Sequence, residues 1–153
     1  MWNNGGVRAD LAAGPLNYGG IHYVTPFGNL VARIRLRGRD LLAVLEATVD
    51  GARADAHVSG VSVTFDPARP RGARLVRAVD AAGIAIDSAK VYTVAMNDFM
   101  VENDFREQLR AAVSTEFLTV RDIDAMAEFL RRQPQPVRGD ATARIRAITP
   151  GSN

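Results

Sequence analysis

The stretch LVARIRLR, residues 30–37, constrains this chain more than any other. Leu30, Ala32, Ile34 and Leu36 alternate with Arg33, Arg35 and Arg37, and a period of two puts the apolar side chains on one face and the guanidiniums on the other. Only a half-buried strand can bury the first face while wetting the second. Gly38 ends it, and RDLLAVLEATVD (39–50) changes the period. Leu41, Val44, Leu45 and Thr48 or Val49 now share one helical face, with Asp40 available as a cap or a first-turn acid.

The rest of the chain continues this alternation of elements. GVSVTFD (60–66), ARLVRAV (73–79) and VYTVAMN (91–97) read as strands, with the loop DPARPRG (66–72), the turn DAAG (80–83) and the short extended IAID (84–87) between them. GPLNYGG (14–20) reads as a turn cluster, and IHYVTPFGN (21–29) runs through a proline into a second turn. The last third looks mostly helical. NDFREQLRAAV (103–113) can start from Asn103 or Asp104, and TVRDIDAMAEFLRRQ (119–133) offers Thr119 as N-cap with Asp122 three residues on. Ile123, Met126, Ala127 and Leu130 form the stripe of that second helix. PQPVRGD (134–140) breaks it, and TARIRAI (142–148) predicts a final strand. Meander-like strands with helices to one side predict an α+β fold.

With 153 residues, 47% hydrophobic and 24% charged, the chain suits one compact domain with a substantial core. It has no cysteine, so disulfides, thiolate metal sites and a cysteine nucleophile are excluded. Arginine supplies nearly all of the basic charge, but a net charge of +2 is too small to mark a nucleic-acid binder. No apolar run is long enough to span a bilayer, and these residues begin with no leader pattern.

Catalytic signals are equally sparse. His22 and His57 lack partners at metal-ligand spacing; the first reads as part of a packed turn, the second as a loop or strand-edge residue. No serine sits in a nucleophile elbow. Asp98 with Asp104 makes a pair of carboxylates of the kind that does acid–base work, but Asp98 reads as a turn residue at a strand end. No self-contained catalytic group is present, and no metal site.

Binding signals are better. NNGGVRADL (3–11) is a glycine-rich turn beside Arg8, a composition suited to an anion. Phe27, between Pro26 and Gly28, and Phe99, just past a strand, are aromatics in turn contexts. Two readings stand open from spacing alone: both rings plug the core, or both stand exposed and sandwich a flat heterocycle.

The order NNGGVRADL, GPLNYGG, VTPFGN, VSGVSVTFDPARPRGARLVRAV and VYTVAMNDF resembles the C-terminal, substrate-binding domain of the 5′-nucleotidase and UDP-sugar hydrolase family, over residues 3 to about 99 and more weakly at ATARIRAI. The resemblance implies an α+β fold with α/β/β/α layering and mixed or antiparallel strands. It implies one domain over 1–153, incomplete at its N-terminus, because the family has a helix and strand before the N-G-G-x-R turn. The family's metallophosphoesterase domain, with its two divalent metal ions and catalytic histidine–aspartate pair, is absent, so the chain holds no cofactor or catalytic residue and is expected not to hydrolyse AMP by itself.

By the same resemblance Arg8 contacts the substrate phosphate, Phe27 and Phe99 stack on the base, and Asn3 and Asn29 hydrogen-bond it. One segment departs from the family. Where the family has G-G-D-G before an aromatic, this chain has MVENDF, two residues shorter and without glycine. Asp104 is the candidate for the ribose hydroxyls, on a loop (Glu102–Phe105) that must follow another path. The implied partners are a nucleotide or nucleoside and the metallophosphoesterase domain, with no nucleic acid and no membrane. The implied location of the parent protein is outside the cytoplasm. The alternatives are a non-catalytic binding or structural module derived from the domain, and a domain serving a UDP-sugar or cyclic nucleotide.

Overall fold

The computed structural model describes residues 1–51 and 53–148. The end of the expected domain, 149–153, lies outside them.

The alternating segment forms β2 (Leu30–Arg37), whose Ala32, Ile34 and Leu36 are fully buried while Arg33, Arg35 and Arg37 are exposed. It is the centre of a three-stranded antiparallel sheet, with β6 (Val91–Asn97) on one side and β7 (Ser114–Arg121) on the other. Pairing with β6 runs unbroken from Val31↔Asn97 to Arg37↔Val91. Pairing with β7 slips between Leu30 and Ala32, where β2 takes two steps and β7 takes four, from Arg121 to Phe117.

A second sheet has β4 (Val61–Phe65) at its centre, antiparallel to β5 (Leu75–Asp80) and parallel to β8 (Ile145–Ala147). Two short strands, β1 (Trp2–Asn3) and β3 (Ala56–His57), pair antiparallel. Helix α2 (Gly38–Thr48) follows β2 directly and buries Leu41, Val44, Leu45 and Thr48, the face expected from its spacing. Its first N–H groups are satisfied by backbone: Gly38 donates to the Lys90 carbonyl at 2.8 Å and Arg39 to that of Ser88 at 3.0 Å. Asp40 lies in the first turn and makes no capping bond. Glu46 fastens the other end to β5, its carboxylate accepting the N–H groups of Arg74 (2.8 Å) and Leu75 (2.7 Å).

Three local expectations fail. Residues 18–24 are not a turn but helix α1 (Tyr18–Val24), started by Asn17, whose side chain accepts the Gly20 N–H at 2.9 Å. Two glycines weaken its propensity, and burial of Ile21 and Val24 on one face offsets that. His22 therefore stands exposed on a helix, while His57 is in a strand as its pattern allowed. Residues 103–113 are not one helix. A π turn (Met100–Asp104) and a 3-10 turn (Gln108–Ala111) replace it, and they carry Met100, Phe105 and Leu109 into one core. Thr119 is no cap: it lies inside β7, and helix α3 (Asp122–Arg132) begins only after Arg121. Pairing with β2 decides this, since the ladder uses 114–117 and 121 and Thr119 lies in the bulge between them. The α3 stripe is as expected, with Ile123 and Ala127 buried and Met126 and Leu130 packed on them. IAID contributes only the bridge Val79↔Ala85, and the last strand is three residues long.

Candidate functional site

Strand β6 ends at Asn97, and the two polar residues 97 and 98 organise everything around them. Asn97 is fully buried. Its Nδ2 donates to Oδ1 of Asn3 at 3.1 Å, and its Oδ1 accepts the Met100 N–H at 2.8 Å. Asp98 serves a different segment: Oδ2 accepts the Leu30 N–H at 3.0 Å and Oδ1 the Phe99 N–H at 2.8 Å. One residue thus holds the N-terminal turn, and its neighbour holds the loop that carries Phe27.

The N-terminal turn is well supported for so short a segment. After β1, Asn4–Gly6 form a 3-10 turn; Asn4 donates from its backbone N–H to the Asp55 carbonyl (3.1 Å) and from Nδ2 to that of Ala54 (2.8 Å). Gly6 is buried against Asn3 and Trp2, whose side-chain atoms would lie 2.8 and 2.9 Å from an added Cβ, so the turn closes only around glycine. The Arg8 N–H then donates to the Val24 carbonyl at 2.8 Å, bringing the arginine to the C-terminal end of α1. The guanidinium itself is exposed, with one long contact of 3.4 Å to the Gly5 carbonyl.

The Phe27 loop is clamped from its other side by Asp122 at the start of α3. The buried Thr25 hydroxyl donates to Asp122 Oδ2 at 3.1 Å, and the Asp122 N–H donates to the Asn29 carbonyl at 2.8 Å. Gly28 turns the loop at φ 63°, a left-handed conformation suited to glycine. Burial pushes the Asp122 carboxyl above its usual range, with the Ile123 N–H (2.6 Å), the Thr25 hydroxyl and Asn29 pulling it back and the Asp98 charge adding to the rise.

Phe27 is 56% exposed and Phe99 47% exposed, so neither ring plugs the core. The bonds just described link the segments that carry Asn3, Arg8, Phe27, Asn29 and Phe99. The Asn3 carbonyl oxygen is committed to Asn97, which leaves its Nδ2 as the outward donor. Asp104 stands at the end of the π turn, which Asn103 closes by donating from Nδ2 to the Phe99 carbonyl at 3.0 Å. Desolvation first, and then the charge of Asp55, push the Asp104 carboxyl above its usual range. Asn97, Asp98 and Asp122 were not singled out by sequence as parts of this site. Their only local signals were a polar pair ending an alternating strand and an acid at a helix start.

Two hollows lie elsewhere. One of about 610 Å³ is bounded by Tyr18, Val120 and residues 124–132, and one of about 230 Å³ opens on the outer side of β4. None of the six residues above lines either. Among the described residues there is no group of three or more histidine, cysteine, aspartate or glutamate side chains fit to hold a metal ion. No described helix is long and apolar enough to cross a membrane.

Residues 1–107 match the family model described as the 5′-nucleotidase C-terminal domain. The chain belongs to this family. A 5′-nucleotidase precursor from Thermus thermophilus superposes on this nucleotidase C-terminal domain with a TM-score of 0.87 at 29% identity, covering 96% of this chain and 31% of that one. The NAD nucleotidase of Haemophilus influenzae shares the fold, with a TM-score of 0.77 at 22% identity over 97% of this chain and 29% of its own. Endonuclease YhcR of Bacillus subtilis (strain 168) is 27% identical over 152 residues, 95% of this chain but 12% of the longer protein. The chain thus spans less than a third of each of these relatives. The mixed sheets and flanking helices agree with the α+β layering implied by the sequence resemblance.

Proposed function

We propose that this chain is the nucleotide-gripping domain of a nucleotidase-type phosphoric ester hydrolase, and that hydrolysis takes place on a metal-bearing domain of the parent protein. In this reading Phe27 and Phe99 stack on the base, Arg8 pairs with the phosphate, Asn3 and Asn29 meet the base edge, and Asp104 reaches the ribose hydroxyls. The observation that carries it is the pair of exposed aromatic rings on loops tied to one carboxylate, beside the turn that bears Arg8. The exposure of Arg8, Phe27 and Phe99 supports a division of labour, because a nucleotide held there keeps a side free for a second body.

This chain's own contribution is to bind and orient: guanidinium against phosphate, ring faces against a purine, amides against the base edge. The precursor status of the Thermus relative supports export of the parent protein.

Titration with adenosine and AMP, observed through the Phe27 and Phe99 ring resonances, tests this. Phe99→Ala is expected to weaken adenosine by about 1–3 kcal/mol, the range for one lost base–aromatic stack. Arg8→Ala is expected to weaken AMP roughly tenfold and leave adenosine unchanged. No ring perturbation at millimolar adenosine would favour a non-catalytic module derived from the domain, for which the glycine-free turn at Met100–Asp104 is the supporting observation.

A further inference from the structure

Each of the two aromatic residues exposes about half its surface, so packing covers only part of it. What relates them is Asp98. The last β2–β6 pair is Val31↔Asn97; beyond it β6 leaves the sheet, and the next β2 residue, Leu30, has an N–H on that side without a strand carbonyl to receive it. The Asp98 Oδ2 takes the place of that carbonyl at 3.0 Å, while Oδ1 of the same carboxylate receives the Phe99 N–H at 2.8 Å. Leu30 is three residues beyond Phe27, so a single side chain spans two aromatic loops 68 residues apart in sequence. Bonds from backbone N–H groups to an ionised carboxylate are among the stronger hydrogen bonds, and two on one planar group define a distance and an angle together. Asp122 also grips the Phe27 loop, through Thr25 and Asn29, but it makes no bond to the Phe99 side.

We infer that Asp98 is a positioning residue that sets the placement of the Phe27 loop relative to Phe99, and through it the fit of the site for a planar base. The consequence for ligands rests on the function proposed above; the placement itself does not. Asp98→Asn keeps the shape but offers one acceptor oxygen where there were two, so it loses one tie. Asp98→Ala loses both.

The test has a ligand-free arm and a ligand arm, each run on wild type, Asp98→Asn and Asp98→Ala. In the ligand-free arm, amide hydrogen exchange at Leu30 and Phe99 is expected to rise at least about tenfold in Asp98→Ala, while Ile34 and Leu36 in the middle of β2 keep their protection. In the ligand arm, adenosine affinity is expected to fall by roughly tenfold in Asp98→Ala and by less in Asp98→Asn. Wild-type exchange at Leu30 and Phe99 in both variants overturns the inference. So does a general loss of protection through β2 with unaltered adenosine affinity of the folded protein, the mark of a merely stabilising residue. Should wild type itself bind no adenosine, the function proposed above falls, and the exchange at Leu30 and Phe99 still decides the role of Asp98.

Discussion

Two hydrophobic clusters hold this domain, and they are unequal. Among the described residues, the larger joins β2, α2, β4, β5, β6 and the Met100–Leu109 segment through sixteen buried residues; the smaller, under α1 and α3, has three, Ile21, Ile123 and Ala127. The Phe27 loop hangs between them, leaving α1 at one end and entering β2 at the other. A loop with its stronger apolar anchor on one side only must be held by polar bonds on the other. That is where Thr25–Asp122, Asn29–Asp122 and Tyr18–Asp124 (2.9 Å) are found. The difference sets the β6 side of the candidate site on the larger cluster and its α1 side on the smaller.

The sharpest way to break this contrast is a matched pair of deletions. Ile34→Ala is expected to cost about 2–5 kcal/mol of global stability, because a fully buried residue at the centre of a close-packed sheet leaves a cavity that cannot collapse. Ile123→Ala is the same chemistry in the thin cluster and is expected near 2 kcal/mol, the low end of that range. Denaturant unfolding measures both. Hydrogen exchange in the second variant should show α1 and α3 opening while β2 stays protected, and equal losses with equal exchange patterns would erase the contrast.

Asp122 offers a sharper probe of the polar side. Its folded carboxyl is raised above the ordinary 3.8 by burial, so the folded state holds its proton more tightly than the unfolded state. The stability contributed by that proton is present below the ordinary value and is lost as pH rises through the raised one. Asp122→Asn removes this titration, so wild-type stability should decline relative to the variant as pH climbs from below the ordinary 3.8 through the raised value. A constant difference across that window would dissociate the carboxyl from the stability of the Phe27 loop. The smallest effect is expected at Arg33, whose 2.6 Å bond to Glu116 joins two side chains that are each more than half exposed. Arg33→Ala should change stability by less than about 1 kcal/mol in a thermal melt.

The large cluster was legible in the sequence, and the small one only partly. Ala32, Ile34 and Leu36 of β2, and Leu41, Val44 and Leu45 of α2, stand out because a strand or helix repeats its buried face at a fixed local period. The α3 stripe was legible for the same reason, although the start of that helix was not, since β7 extends through Thr119 to pair with β2. α1 was hidden by its two glycines, and the segment after Asp98 by a helical composition that gave way to the placing of Met100, Phe105 and Leu109 in one core. For the candidate site, the resemblance brought forward Asn3, Arg8, Phe27, Asn29, Phe99 and Asp104. Asn97, Asp98 and Asp122 escaped because each has its partner between 68 and 97 residues away. Local spacing carries no trace of such a bond.

By itself, then, the sequence determined which faces are apolar, where β2, β4, β5 and β6 run and to which family the order of motifs points, because periodicity and motif order are properties of the chain read along its length. It left open whether Phe27 and Phe99 fill the core or face solvent. Only the tertiary structure decided that, by closing the core with other side chains and by committing the Asp98 carboxylate to the Leu30 and Phe99 backbones. Exposure and long-range hydrogen bonding depend on what else arrives at the same place, and no segment encodes that alone.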